Sequence, residues 1–293
     1  AGQERIADEL PQADIFIGHA KVPVPWAEVV QQERLTWIQS SAAGLDHCLV
    51  PEVVESDIVV TGASGLFANQ VAEQTLALLL GLLRGLPTFF RAQLKKEFIR
   101  RPTGELPGKS VGILGFGGHG RRIAEVLAQC VVRILASDLY VQNQPEHVVD
   151  LVAAGEMDEV LRQADIVILT VPLTNQTKRF FAAPQFERMK EGSILINVAR
   201  GEVVVEDDLV TALASGHLAG AGLDVTEIEP LPETSKLWDR DDVIITPHVG
   251  AQSARRVDDT TDLACENLRR YLAGHRLLHV VDKQLGFAPP DRK

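Results

Sequence analysis

Hydrophobic positions in this chain alternate between short continuous runs and stretches where apolar residues recur every three or four positions. That is the pattern of buried parallel strands separated by amphipathic helices. Runs at Ala13–Gly18, Leu35–Ser40, Ile58–Val60, Val111–Leu114, Val132–Asp138, Ile166–Val171, Ile194–Val198, Leu218–Val225 and Val243–Thr246 predict strands. Ile6–Leu10 reads as the end of a helix, and Met157–Leu161 and Glu206–Ala214 read as helical. Val71–Leu83 is a strongly apolar helix ending near Gly85 and Pro87. So broad an apolar surface must be buried, either between two domains or against a second subunit. A Pro-rich loop follows the first strand around Val22–Trp26, and the loop Arg101–Gly108 marks the region of a domain boundary. No internal repeat or low-complexity tract interrupts this α/β pattern.

One junction carries more than periodicity. After the run Val111, Ile113, Leu114 come Gly115, Gly117, Gly118, His119 and Gly120, and then Ile123, Val126, Leu127 and Cys130 at helical spacing. In G-x-G-x-x-G, Gly115 allows the tight turn, Gly117 lets the backbone approach a pyrophosphate, and Gly120 permits close helix–strand packing. Free amides at the helix start then face the anion. Three glycines are equally explained by an ordinary turn, but Asp138 follows at the end of the next strand, near the expected offset of about 20 residues for a ribose-binding carboxylate. It would repel a 2′-phosphate, and Leu139–Gln144 holds no Arg or Lys, so NAD (as NADH in the reverse direction) is favoured over NADP.

Composition narrows the class. The 293 residues are 45% apolar and 24% charged, enough for two domains with real cores. A formal net charge of −11 opposes nucleic acid and anionic membranes as partners. Cys48, Cys130 and Cys265 lack disulfide or zinc spacing, which fits a reducing cytoplasm. The run Thr75–Leu83 is less than half of the roughly 20 residues a membrane span needs, and no signal peptide opens the chain, which begins at Ala1. No metal set is legible.

Ligands of open parallel sheets bind beyond the carboxyl ends of the strands. Pro172, Arg200, Asp224 and His248 occupy such ends on the side of the glycine turn. Each alone has a bland reading, as surface ion-pair partner, cap or packed loop residue; together they point to one site. Oxidising a C–OH group needs a base for its proton while hydride leaves for the nicotinamide, and His248 suits that task. A carboxylate beside it would hold the ring and stabilise its imidazolium; Glu229 is the candidate and Glu227 the competitor. Arg200 would grip an α-carboxylate in two-point fashion, and Asp224 would accept a hydrogen bond from the nicotinamide carboxamide. Nearer the start, Ala42, Ala43 and Gly44 are small enough to let amides approach an anion, or form a simple βα turn. His19 ends its strand either as a ligand contact or as a solvated loop side chain, and the neighbours His47 and Cys48 make a poor nucleophile pair.

Asn197-Val-Ala-Arg-Gly201, Gly222-Leu-Asp-Val225 with Glu229-Pro230, and Thr246-Pro-His-Val-Gly250, in that order after the glycines, resemble the D-isomer-specific 2-hydroxyacid dehydrogenases over nearly the whole chain. The resemblance implies Arg200, Glu229 and His248 as catalytic trio, with Gly115–Gly120, Asp138, Val171, Pro172, Val198, Ala199, Arg200, Asp224, His248 and Gly250 around NAD. It implies that Ala42–Gly44, with Arg200 and His248, receive a small anionic 2-hydroxy or 2-keto acid. It also implies two domains: a Rossmann-type NAD-binding domain (85–252) inserted in a flavodoxin-like substrate domain (1–84), to which Ser253–Leu272 within 253–293 returns, and a homodimer built on the helix at Val71–Leu83.

Set against the resemblance, the sequence is expected to start late, without the first strand of the substrate domain, and to lack the regulatory domain of many phosphoglycerate dehydrogenases. Glu229 stands where formate dehydrogenases have Gln. Two readings remain: an NAD-dependent dehydrogenase of a small D-2-hydroxy acid, or a non-catalytic NAD(H)-sensing protein like the family's co-repressors. A peptide-binding groove would separate them, and none is legible in the sequence.

Overall fold

The structure is a computed structural model that describes residues 3–19 and 24–289; Ala1, and Val22 and Pro23 of the Pro-rich loop, lie outside them. In chain order the elements are α1 (Gln3–Glu9), β1 (Ile15–Gly18), α2 (Trp26–Gln31), β2 (Trp37–Ser40), α3 (Pro51–Glu55), β3 (Val59–Thr61), α4 (Ala68–Leu83) and α5 (Leu86–Leu94). They continue with β4 (Ser110–Leu114), α6 (Gly118–Leu127), β5 (Arg133–Asp138), β6 (Val148–Ala153), α7 (Met157–Gln163), β7 (Ile166–Leu169) and α8 (Ala183–Arg188). The last are β8 (Ser193–Asn197), α9 (Glu206–Ala214), β9 (Leu218–Leu223), β10 (Val243–Ile245) and α10 (Arg256–Leu272).

Two units result, one of residues 1–67 with 253–293 and one of 68–252, so the second is an insertion in the first. The limit expected at 84/85 falls between Phe67 and Ala68, because α4 packs on β8, β9, β10 and α6 of the second unit. Val71, Ala72, Leu78, Leu79 and Leu83 of this helix are buried. Gly81 and Gly222 make the approach of helix to sheet possible: a Cβ at Gly222 would lie 2.9 Å from the Cβ of Leu78.

In the first unit β1, β2 and β3 form a parallel sheet in sequential order, with Gly18 paired to Ser40. Its core gathers Trp26, Val29, Ile38, Leu45, Cys48, Val53 and Val60. Helix α10 is tied back by polar groups: buried Asn267 donates to Gln39 Oε1 at 2.7 Å and accepts the Leu278 amide at 2.7 Å. Tyr271 stacks on Trp37 with centroids 5.2 Å apart. Buried polar groups satisfied in this way select one seating of the helix.

The second unit is a seven-stranded parallel sheet in the order β10-β9-β8-β7-β4-β5-β6. Strand order reverses at β4/β7, the switch point where such sheets bind ligands. Ile166–Leu169 is wholly buried, as expected of a strand covered on both faces. Beside the short helices α2, α3 and α8, α5 and β6 escaped the sequence pattern. Helix α4 ends at Leu83, before Gly85 and Pro87 as the sequence indicated, but α5 starts at Leu86 with Pro87 in its first turn, where proline is tolerated, and Gly85 at φ +67° turns the chain before it. The edge strand β6 has exposed Val149 and Asp150 in its middle, which blur its periodicity. Among the described residues no single helix is long and apolar enough to cross a membrane; α4 and α5 pass only as a pair bent by 69°.

Candidate functional site

The glycine turn follows β4 directly. Gly115 has φ +94°, and a Cβ there would come within 2.7 Å of the Val171 amide nitrogen; at Gly120 it would come within 2.1 Å of the Gly115 carbonyl. These two glycines are demanded by close packing. Gly117, the residue before α6, differs: a Cβ there would meet nothing within 4 Å, and no side chain caps the helix amides. The open side of the turn therefore presents uncapped N–H groups, which fits a dinucleotide's pyrophosphate. Thr170 Oγ1 donates to the Gly115 carbonyl at 2.5 Å and locks the turn to the end of β7, where Val171 and Pro172 follow. His119, in the first turn of α6, has its Nε2 enclosed without a partner. Burial, then the positive charge of Arg200, push its imidazole down to about 4, so it is neutral at physiological pH.

Asp138 ends β5 and turns its carboxylate towards the glycine turn. Oδ2 accepts the Phe116 amide at 2.5 Å and Oδ1 the Tyr140 amide at 2.8 Å. A guanidinium also reaches this region, from a residue that sequence reading overlooked. Arg121 lies 4.8 Å over the Phe116 ring and donates to the Asn143 and Gln142 carbonyls at 2.9 and 2.6 Å.

Beyond β8, Asn197 shapes the turn through Val198 and Ala199: its Oδ1 accepts the Ala199 amide at 3.0 Å and its Nδ2 donates to the Arg200 carbonyl at 3.1 Å. Such an Asx turn fixes the backbone that carries the guanidinium. Gly201 comes next, where a Cβ would sit 1.8 Å from the Thr226 carbonyl oxygen. The Arg200 backbone and the loop bearing Glu229 thus touch with no room for a side chain.

Asp224 organises the turn at 246–250. Oδ1 accepts Thr246 Oγ1 at 2.7 Å and the Val249 amide at 3.0 Å, and Oδ2 accepts the Gly250 amide at 2.8 Å. Only 3% of Asp224 is exposed. Its observed task is to hold this turn, whereas the sequence suggested contact with a carboxamide; four protein donors, Gln74 among them, already converge on it. The turn needs holding because His248 has φ +53°, a conformation costly for a residue with a side chain. The His248 amide donates to the Asp224 carbonyl at 2.7 Å. So placed, His248 Nδ1 lies 2.9 Å from Glu229 Oε2, with both side chains about a third exposed. Glu227 is drawn elsewhere: it pairs with Arg179 and accepts the Glu206 amide at 3.0 Å.

In the first unit the small-residue turn at Ala42–Gly44 follows β2. The Ala42 amide is spent on Ser40 Oγ at 3.1 Å, which removes one of three expected anion donors. Among the described residues the Ala43 and Gly44 amides have no protein acceptor. Cys48 is fully buried, and its thiol is pushed up to about 12 by burial and by the charge of Asp46, so it is no nucleophile. His47 meets His19 instead, an approach the sequence did not foreshadow.

Among the described residues no cluster suits a metal ion. A cavity of about 740 Å³ in the second unit opens at the amino ends of the strands, lined by Lys109, Asp165, Gly192 and Asp242, opposite the glycine turn. Its Asp165 is occupied by Lys190 and the Ser110 amide, both at 2.8 Å.

A doubly wound parallel sheet with a glycine turn at its switch point defines a dinucleotide-binding α/β protein. Residues 76–250 match the D-isomer specific 2-hydroxyacid dehydrogenase NAD binding domain. The chain is 34% identical over 260 residues to a glyoxylate reductase of Thermofilum pendens, covering 86% of this chain and 76% of that one. It is 30% identical over 281 residues to a glycerate dehydrogenase of Methylorubrum extorquens, covering 92% and 86%. The fold superposes with a TM-score of 0.83, at 29% identity, on a D-isomer specific 2-hydroxyacid dehydrogenase from Xanthobacter autotrophicus Py2 in complex with NADPH and MES, covering 95% of this chain and 86% of that one. The chain belongs to the D-isomer specific 2-hydroxyacid dehydrogenase family, oxidoreductases that transfer hydride between NAD or NADP and the CH–OH group of a donor.

Proposed function

We propose that this protein interconverts a small D-2-hydroxy acid and its 2-keto acid with NAD(H), His248 acting as acid and base. The observation that carries the reading is the hydrogen bond from His248 Nδ1 to Glu229. With Nδ1–H donated to the carboxylate, Nε2 is the nitrogen left to exchange a proton with the substrate oxygen. Glu229 holds the ring and offsets the charge of the imidazolium. Arg200 grips the substrate carboxylate and polarises the adjacent carbonyl. NADH, when bound, supplies the hydride.

Residues 68–252 serve in this reading as the cofactor domain and the remainder as the substrate domain. Gly117, Gly118 and His119 at the start of α6 hold the diphosphate, supported by the open face of the turn. Asp138 selects NAD over NADP by repelling a 2′-phosphate, and Arg121 is diverted by two carbonyl acceptors. We further propose a cytoplasmic homodimer. Three free thiols support the compartment. For the dimer, the support is an exposed apolar row at Phe90, Leu94 and Phe98, the last 93% exposed, which moves the contact from α4 to α5 and the segment after it.

The experiment is NADH oxidation with glyoxylate, hydroxypyruvate and pyruvate, repeated with NADPH. Turnover with NADH supports the whole reading, and a preference for NADPH refutes the role given to Asp138. Tight NADH binding without turnover would favour a sensor.

A further inference from the structure

Glu206, the first residue of α9, carries a half-buried carboxyl that no step above uses, and burial raises it above the usual carboxylate value. Its contacts run to both feet of the loop that bears Glu229. At the first foot two residues exchange bonds: the Glu206 amide donates to Glu227 Oε2 at 3.0 Å, and the Glu227 amide donates to Glu206 Oε2 at 3.4 Å. At the second foot Ser235 Oγ donates to Glu206 Oε1 at 3.2 Å. One carboxylate therefore closes the loop from 227 to 235, each of its oxygens holding one foot. Arg179 grips the other oxygen of Glu227, so the first foot is held from two sides. Between the feet Ile228, Glu229 and Pro230 are exposed, and the Thr226 amide donates to Glu229 Oε1 at 3.4 Å, which refers this carboxylate to the backbone of the first foot.

We propose that Glu206 is a positioning residue for the reaction: by tying residues 227 and 235 together it keeps Glu229 within hydrogen-bonding reach of His248. This rests on the reading of His248 and Glu229 as the acid–base pair. Glu206 acts through Glu229 alone. Hydrogen bonds to an ionised carboxylate are among the stronger ones available to hold a loop, and a displacement of about 1 Å in a catalytic group can cost orders of magnitude in rate. Alanine at 206 removes both side-chain acceptors. Glutamine keeps an acceptor for the Glu227 amide, and its NH2 can donate to Ser235 Oγ, because a hydroxyl both donates and accepts.

The test is a double-mutant cycle in kcat, with NADH and whichever of glyoxylate, hydroxypyruvate and pyruvate is reduced fastest, each variant corrected for its active fraction by NADH-binding stoichiometry. Glu206→Ala is expected to lower kcat by about tenfold, with KM for NADH little changed, and to lower it by less than about twofold where Glu229 is already alanine. Glu206→Gln should recover most of the loss. Equal losses with and without Glu229 mean a structural role only and overturn the inference, as does full turnover in Glu206→Ala beside an impaired Glu229→Ala. Full turnover in Glu229→Ala, or a wild type that reduces none of the three acids, overturns the acid–base reading itself, and neither result involves a change at 206. Should Glu206→Ala not fold, Ser235→Ala, which frees the second foot only, enters the same cycle. A loss of about threefold that vanishes without Glu229 then supports the inference, and an unchanged kcat or equal losses in both backgrounds overturn it.

Discussion

His248 Nδ1 and Glu229 Oε2 are 2.9 Å apart, although nineteen residues separate them in the chain. Neither side chain arrives there unaided. The turn carrying His248 is held by the carboxylate of Asp224, and the loop carrying Glu229 rests on Gly201. His248→Ala is expected to lower kcat by about 10²- to 10⁴-fold, the usual range for a lost acid–base group. NADH affinity, read by fluorescence titration, should change little. Glu229→Gln should lower kcat by at least about tenfold, because an amide holds the imidazole less well than a carboxylate does. Full turnover in either variant would remove the dyad from the chemistry.

Gly201→Ala tests the contact beneath the site. The new methyl carbon would overlap the Thr226 carbonyl at 1.8 Å, so helix-side and loop-side backbones must separate. A loss of about 3 kcal/mol in unfolding free energy is expected from urea titration. Turnover should fall together with stability.

His119 makes stability depend on pH. Its imidazole is about 4 in the folded protein against 6.5 ordinarily, so between these values the unfolded chain binds a proton that the folded one refuses. Stability contributed by this group is complete above about pH 6.5, is lost as pH falls, and levels off near pH 4. Thermal unfolding from pH 7 to 4 should show a steeper decline in the wild type than in His119→Leu. Parallel curves would mean that the ring is not enclosed.

Thiol reactivity distinguishes the three cysteines. Cys48, buried and raised to about 12, should stay unmodified by an aromatic disulfide reagent at pH 8 until denaturant is added, while exposed Cys265 reacts in the native protein. Cys48→Ala should leave NADH oxidation intact apart from a modest loss of stability.

What the sequence determined by itself is local. Gly115 and Gly120 were legible because a strand–turn–helix junction needs missing side chains there, and Gly117 because bare backbone at that position leaves room for an anion. The runs at Ile166–Leu169 and Ser193–Asn197 were legible because strands covered on both faces are continuously apolar. Gly85 and Pro87 marked the end of α4, but α5 directly after them was not legible, since proline is at home both after one helix and in the first turn of the next. Tertiary structure alone decided the rest. It sent Glu227 to Arg179 and Glu229 to His248, tied the turn at 246–250 to Asp224, and brought His19 to His47. Each of these outcomes is a distance between residues far apart in sequence. Such distances follow from strand order, register and loop path, which periodicity and residue chemistry do not encode.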